Sequence, residues 1–185
     1  MSRAGTITLH PVQKLTRCAL FIALTAICAQ LIIPVGAVPV SLSLLPVLLC
    51  AAILPLREAV MAMTGYLLLG LLGAPVFSGF QGGVGKLLAA TGGYIIGYLP
   101  CAVTISLILR FVGRSWLVKA LAMTLGTAVC YLFGTAWFMI LRGVDLQTCL
   151  SICVWPFIPF DALKIALAVF LSSRLEKPLA RYLSR

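Results

Sequence analysis

The chain has 185 residues, of which 62% are hydrophobic and 10% charged, and its 14 basic and 4 acidic residues give a net charge of +10. Soluble domains are about half apolar and about a quarter charged, so this composition predicts an all-α integral membrane protein and excludes a large extramembrane domain. One histidine, His10, and four acids, Glu58, Asp145, Asp161 and Glu176, are too few to build a hydrolytic metal site or a histidine-based acid–base site.

Long uncharged runs predict six transmembrane helices in a single domain that covers residues 1–185. Each run is long enough for one crossing, and the 39 residues between Arg17 and Arg57 are long enough for two, broken by prolines. Pro46 lies inside the second span, although proline disfavours a helix interior. The predicted spans are roughly 15–33, 41–56, 58–74, 91–110, 117–140 and 156–173.

The basic residues are distributed unequally between the two sides of the membrane. Six spans place both termini on one side, which then holds eleven basic residues: Arg3, Lys14, Arg17, Arg57, Arg110, Arg114, Lys119, Arg174, Lys177, Arg181 and Arg185. The other side holds Lys86 and Arg142, and Lys164 lies inside a span. The positive-inside rule therefore predicts cytoplasmic termini and a multi-pass protein of the cell membrane. The basic residues form no stripe with interleaved aromatics, so they do not indicate nucleic-acid binding.

Small residues recur along the first predicted span, at Ala19, Ala23 and Ala26. Their spacing places them in one stripe on a helix, where small side chains allow close approach of a neighbouring helix. The stripe fits two interpretations equally well. It either packs within the bundle or forms a docking groove for another membrane subunit.

Half of the sixteen glycines fall within residues 73–97. The first part of this stretch follows the third span on the outer side and sets Phe77, Phe80 and Gln81 among the glycines. Three interpretations remain open: a flexible loop, a helix-packing face such as Gly93 to Gly97, or a loop that folds over a ligand. A phosphate-binding loop is excluded, because the required glycine and the Ser or Thr after Gly-Lys are missing.

Asp161 and Lys164 are charged residues inside the last predicted span. Each costs about 2.5–3.5 kcal/mol at the centre of a span, so such residues are usually functional. Their i,i+3 spacing places both on one helix face. They are either a mutually neutralising pair in the bundle interior or the polar floor of a ligand site that receives a urea-like or amide edge.

These features together resemble BioY, the biotin-specific S component of energy-coupling factor (ECF) transporters. The resemblance covers nearly the whole chain. It rests on the proline-rich stretch IPVGAVPVSL, on GAPVFSGFQGGVGKLLAATGGYIIGY, on PFDALK around Asp161 and Lys164, and on the alanines at 19 and 23, which are similar to a docking motif of S components.

The resemblance implies a six-helix S-component fold that captures biotin from outside and hydrolyses nothing itself. It implies two kinds of partner besides membrane lipid, namely a transmembrane coupling subunit and a pair of ABC-type ATPases, and no cofactor. Asp161 would accept the ureido N–H groups, and Lys164 would bind either the ureido oxygen or the valerate carboxylate. The other expected ligand contacts are Gln81, Phe77, Gly79, Gly83, Thr91, Tyr94 and Ser43, with Trp155 beside the ring, and Ala19 and Ala23 would dock the coupling subunit.

The chain departs from the family pattern at Ser43, Lys86 and Ala90. These departures leave open an S component for another small vitamin. A separate alternative is a non-catalytic assembly subunit without a ligand. A membrane-embedded enzyme would require clustered acids or histidines, which the sequence does not provide.

Overall fold

The structure, a computed structural model, describes residues 11–33 and 40–183, with side chains up to residue 175. It is mostly helical. The elements in chain order are α1 (Pro11–Gln30), β1 (Ile32–Ile33), β2 (Val40–Ser41), α2 (Leu44–Ile53), α3 (Leu56–Leu71), α4 (Val84–Leu88), α5 (Gly92–Phe111), α6 (Trp116–Arg142), α7 (Leu146–Cys153) and α8 (Ile158–Leu183). Most of the proline-rich stretch between β1 and β2, and the basic residues Arg3 and Arg185 at the chain ends, lie outside the described residues, and so do the side chains of Lys177 and Arg181.

Among the described residues, three helices are long and apolar enough to cross a membrane: α1, α5 and α6. A fourth crossing results if α7 and α8, which meet at a bend of 54°, form one broken span. Helix α2 has 10 residues and α3 has 16, which gives lengths of about 15 and 24 Å against a hydrocarbon core of about 30 Å. Six of the helices overlap the six predicted spans, but α2 and α3 are both shorter than the hydrocarbon core, so length and composition support three or four crossings in the part of the chain that the structure describes. Pro46 is tolerated because it lies in the first turn of α2, where an N–H has no helical partner.

Helices α5 and α6 pack closely because glycines remove side chains from their interface. A Cβ atom on Gly93 would lie 2.2 Å from the Cβ atom of Trp137, and one on Gly97 would lie 3.1 Å from the carbonyl oxygen of Cys130. The helix-packing interpretation of Gly93 and Gly97 is therefore confirmed. On α6, a Cβ atom on Gly134 would lie 2.2 Å from the ring of Tyr94, so this glycine makes room for the tyrosine.

Two irregular segments interrupt the helical bundle. The first is the antiparallel β1–β2 pair, in which Ile32 is opposite Ser41. The second is the glycine-rich connection between α3 and α5, which contains the short helix α4 and a bridge between Phe77 and Gln81. Both segments contribute to the wall of one cavity, so irregular backbone is found where the protein lines a cavity.

Candidate substrate-binding site

A cavity of about 170 Å³ lies between β2, the glycine-rich connection and helices α4 to α8. Its polar lining includes Ser41, Ser78, Lys86, Thr91, Asp161 and Lys164. Apolar and aromatic side chains complete the wall, among them Leu44, Ile95 and Phe157. An apolar cavity with a few converging polar groups is the usual form of a small-molecule site.

The charged floor of this cavity is the pair formed by Asp161 and Lys164. The two residues are 5% and 6% exposed, and Lys164 Nζ lies 2.6 Å from Asp161 Oδ1. Helix α8 begins at Ile158, so Asp161 lies in its first turn, where the positive end of the helix dipole stabilises a carboxylate. The one-face placement expected from the i,i+3 spacing is confirmed.

Two further groups bind this pair, and sequence reasoning identified neither of them as a partner. Lys164 Nζ donates a 2.8 Å hydrogen bond to the carbonyl oxygen of Ser41 on β2. The hydroxyl of Tyr131 on α6 donates to Asp161 Oδ2. Each is more than 25 residues from its partner in the chain, so no local pattern could reveal the contact. The buried pair thereby connects α8 to both α6 and the β1–β2 segment.

Tyr131 and Asp161 also line a second space, a lateral groove of about 1110 Å³ between α6 and α8. The groove begins near Trp116 and Arg174 and extends to Ile158. The hydrogen bond between Tyr131 and Asp161 therefore lies at the boundary between the cavity and the side of the bundle.

Ser43 lies just behind the cavity wall. It is 1% exposed, and its hydroxyl forms a 2.6 Å hydrogen bond with the hydroxyl of Ser41 and another hydrogen bond with the hydroxyl of Tyr98. Ser41 and Tyr98 both line the cavity, whereas Ser43 does not. Ser43 can therefore orient two hydroxyl-bearing residues that line the cavity.

The remaining residues expected at the site separate into two groups. Thr91 and Tyr94, at the start of α5, line the cavity beside Asp161 and Lys164. The others do not line it.

The residues of the second group lie outside the cavity lining. Phe77 is fully buried, and its ring packs edge-on against Tyr66 with centroids 5.5 Å apart. Gly79 and Gly83 adopt φ values of 78° and 85°, which shape the turns of the loop. Gln81 is exposed and pairs with Phe77 through the backbone. Trp155 is 67% exposed.

Lys86, a departure from the family pattern, also lines the cavity, from helix α4. Partial burial lowers the pKa of its ammonium group below the ordinary lysine value, because desolvation disfavours the charged form. The cavity thus has a second basic group besides Lys164.

Gln30, at the end of α1, holds the glycine-rich loop in place. Its side-chain nitrogen donates to the carbonyl oxygen of Phe77 at 3.1 Å, and its side-chain oxygen accepts the N–H of Phe80 at 2.7 Å. Phe80 has a φ of 54°, an unusual conformation for a residue other than glycine. A single amide at the end of an apolar span was the only sequence signal for this contact.

Ala19 and Ala23 lie on the exposed surface of α1, together with Leu20 and Ile27. No group of three metal-ligating side chains comes together in residues 11–33 and 40–175, whose side chains the structure describes. The described residues thus form a candidate ligand cavity and a separate, smooth helix surface.

Comparison with known proteins agrees with this architecture. The model of the BioY family matches residues 1–181. A probable biotin transporter BioY of Pyrococcus horikoshii is 37% identical over 164 residues, covering 89% of this chain and 96% of the relative. The biotin transporter BioY of Thermotoga maritima is 32% identical, with the same coverage of 89% and 96%.

Among solved structures, the crystal structure of the S component for biotin from an ECF-type ABC transporter superposes with a TM-score of 0.83. It is 29% identical in sequence and covers 90% of this chain and 92% of its own length. The similarity extends over nearly the whole chain in both sequence and fold, and the chain therefore belongs to the BioY family.

Proposed function

We propose that this protein is the biotin-specific S component of an ECF transporter, which captures biotin at the outer face of the cell membrane. The observation that carries the proposal is the buried pair of Asp161 and Lys164 at the floor of a cavity in a BioY fold. The relatives that cover most of this chain are named biotin transporters, and the superposed structure is an S component for biotin.

The unused hydrogen-bonding capacity of the pair matches the ureido group of biotin. An ammonium has three donors, and Lys164 uses two of them, on Asp161 and on the Ser41 carbonyl. A carboxylate has about four acceptor positions, and Asp161 uses one for Lys164 and one for Tyr131. One donor and two acceptor positions therefore remain unused on two residues that line the same cavity. A ureido edge presents an oxygen and an N–H in the same direction, so it complements this arrangement.

The rest of the ligand would contact the aromatic and small side chains of the cavity. Tyr94, Ile95 and Tyr98 would cover the fused rings, and Thr91 would lie at the loop side. Phe77, Gly79, Gln81 and Gly83 would act as parts of the loop above the cavity. In that role Phe77 anchors the loop on Tyr66, while the two glycines permit its turns.

The glycine-rich loop would act as a lid. Sites for small molecules are commonly about 300–1,000 Å³, and the cavity of about 170 Å³ is smaller. Movement of the loop would enlarge the cavity, admit the ligand and then exclude water from it. The hydrogen bonds from Gln30 would hold the closed position.

In this proposal the chain crosses the membrane six times, with both termini in the cytoplasm. The β1–β2 segment and the short α2 together form the second crossing, and α7 with α8 forms the last. The excess of basic residues on one side supports this orientation. The protein hydrolyses nothing, and the energy would come from a pair of ABC-type ATPases through a transmembrane coupling subunit.

The coupling subunit would dock on the outer surface of α1. Ala19 and Ala23 are exposed there and would allow a partner helix to approach closely. Their exposure supports a docking surface over packing within the bundle, the other interpretation of the alanine stripe.

Replacing either member of the buried pair should weaken biotin binding. Asp161→Ala and Lys164→Ala should each raise the Kd for biotin at least tenfold, which is about 1.4 kcal/mol of binding free energy. Ligand hydrogen bonds are lost, and the remaining charge stays buried without its partner. Equilibrium binding of labelled biotin to protein in nanodiscs measures this. Asp145→Asn and Lys14→Ala, on exposed residues away from the cavity, are the controls. Wild-type affinity in either test variant would remove the pair from the site.

Gln30→Leu should loosen the lid. Two neutral hydrogen bonds, at about 0.5–1.5 kcal/mol each, are lost without a large change in volume, so biotin should dissociate about tenfold faster. Hydrogen exchange should accelerate at the Phe80 amide, while the Val112 amide, which bonds to Ile108 at the end of α5 outside the lid, serves as the internal reference. Gln147→Leu is the matched control on α7. Unchanged exchange at Phe80 would contradict the role of Gln30.

A bulky residue on the α1 surface should separate docking from ligand binding. Ala23→Trp should prevent co-purification with the coupling subunit and leave biotin affinity within about twofold, because the indole occupies the space of a partner helix. Leu132→Trp, on an exposed position of α6, controls for bulk alone. Normal co-purification of Ala23→Trp would show that the partner docks elsewhere.

A further inference from the structure

Three charged residues line the cavity among the residues that the structure describes: Lys86, Asp161 and Lys164. Asp161 and Lys164 neutralise each other, since their charged atoms are 2.6 Å apart. Lys86 therefore leaves the cavity with a single net positive charge. A low-dielectric cavity with such a charge favours a ligand that has one negative charge.

Lys86 lies on a different structural element from the floor pair, which is the pair of Asp161 and Lys164 at the cavity floor. It lies on α4, within the glycine-rich connection, whereas Asp161 and Lys164 lie on α8. It is partly buried, and no side chain in the described part of the molecule forms a hydrogen bond or ion pair with it. A partly desolvated ammonium without a protein partner gains from a counter-charge, so an anion bound beside Lys86 would be stabilised.

The floor pair is a poor place for a second carboxylate. A ligand carboxylate beside Lys164 would also lie close to Asp161, and like charges at that separation repel each other. An uncharged edge avoids this repulsion. Lys164 is therefore expected to bind the ureido oxygen rather than the valerate carboxylate. The carboxylate then needs a different positively charged residue as its partner.

We propose that Lys86 is the carboxylate-binding residue of the site and pairs with the valerate carboxylate of biotin while Asp161 and Lys164 hold the ureido group. This inference rests on the proposed function and extends it. The site then selects a ligand that has one negative charge at one end and a urea-like edge at the other end. Because Lys86 belongs to the loop region, binding of the carboxylate also holds that region against the ligand.

Comparison of biotin with its primary amide, biotinamide, tests the inference, because the amide has nearly the same shape and no charge. Affinities of both compounds are measured for the full-length protein in nanodiscs. The wild type should bind biotin at least tenfold more tightly than biotinamide. In Lys86→Met that ratio should fall to about one, through weaker biotin binding and unchanged biotinamide binding. Lys86→Arg should keep the preference, and Lys14→Met, at an exposed position of α1, should keep wild-type values.

The outcomes separate the inference from the proposed function. If Lys86→Met binds biotin and keeps the full preference over biotinamide, Lys86 does not bind the carboxylate, although the proposed function stands. If the folded wild type binds neither compound, the proposed function fails and the inference fails with it. Lys86→Gln provides the same comparison if Lys86→Met does not give a monodisperse sample.

Discussion

The structure depends on one requirement, that two opposite charges buried inside an apolar bundle must be fully paired. Asp161 and Lys164 satisfy each other at 2.6 Å, and each has a second partner on another element. Tyr131 brings α6 to the carboxylate, and the carbonyl of Ser41 brings the β1–β2 segment to the ammonium. Removing one charge leaves the other buried and uncompensated, which typically costs several kcal/mol. The same arrangement that satisfies the charges leaves one ammonium donor and two carboxylate acceptor positions unused on residues that line the cavity.

Irregular backbone inside a membrane protein creates polar groups that lipid cannot satisfy, and here these groups border the cavity. The carbonyl of Ser41 is satisfied by Lys164, and the backbone of the glycine-rich loop is satisfied in part by Gln30. The short α2 is possible because the β1–β2 segment precedes it and because its residues are almost all buried among other helices. The backbone segments that lack helical hydrogen bonds are therefore also segments that line the candidate ligand site.

Local patterns in the sequence predict the apolar helices and the placement of Asp161 and Lys164 on one face, because hydropathy and i,i+3 spacing are properties of neighbouring residues. The same patterns also suggested that Gly93 and Gly97 form a packing face. They do not predict that α2 stops after 10 residues or that α7 forms a separate helix at a bend of 54°. The contacts of Tyr131, Ser41 and Gln30 were also missed, since each joins residues far apart in the chain and depends on how the helices pack.

Equilibrium binding of radiolabelled biotin to the purified wild-type protein in nanodiscs, with unlabelled thiamine and riboflavin as competitors, tests the central claim most directly. In this account Lys86 gives the cavity a net positive charge, and Asp161 and Lys164 form a floor for a urea-like edge. The account therefore predicts saturable binding of biotin at nanomolar concentration, one molecule per protein, that neither competitor displaces. Absence of saturable binding by a folded sample, or displacement of biotin by thiamine or riboflavin, would contradict it.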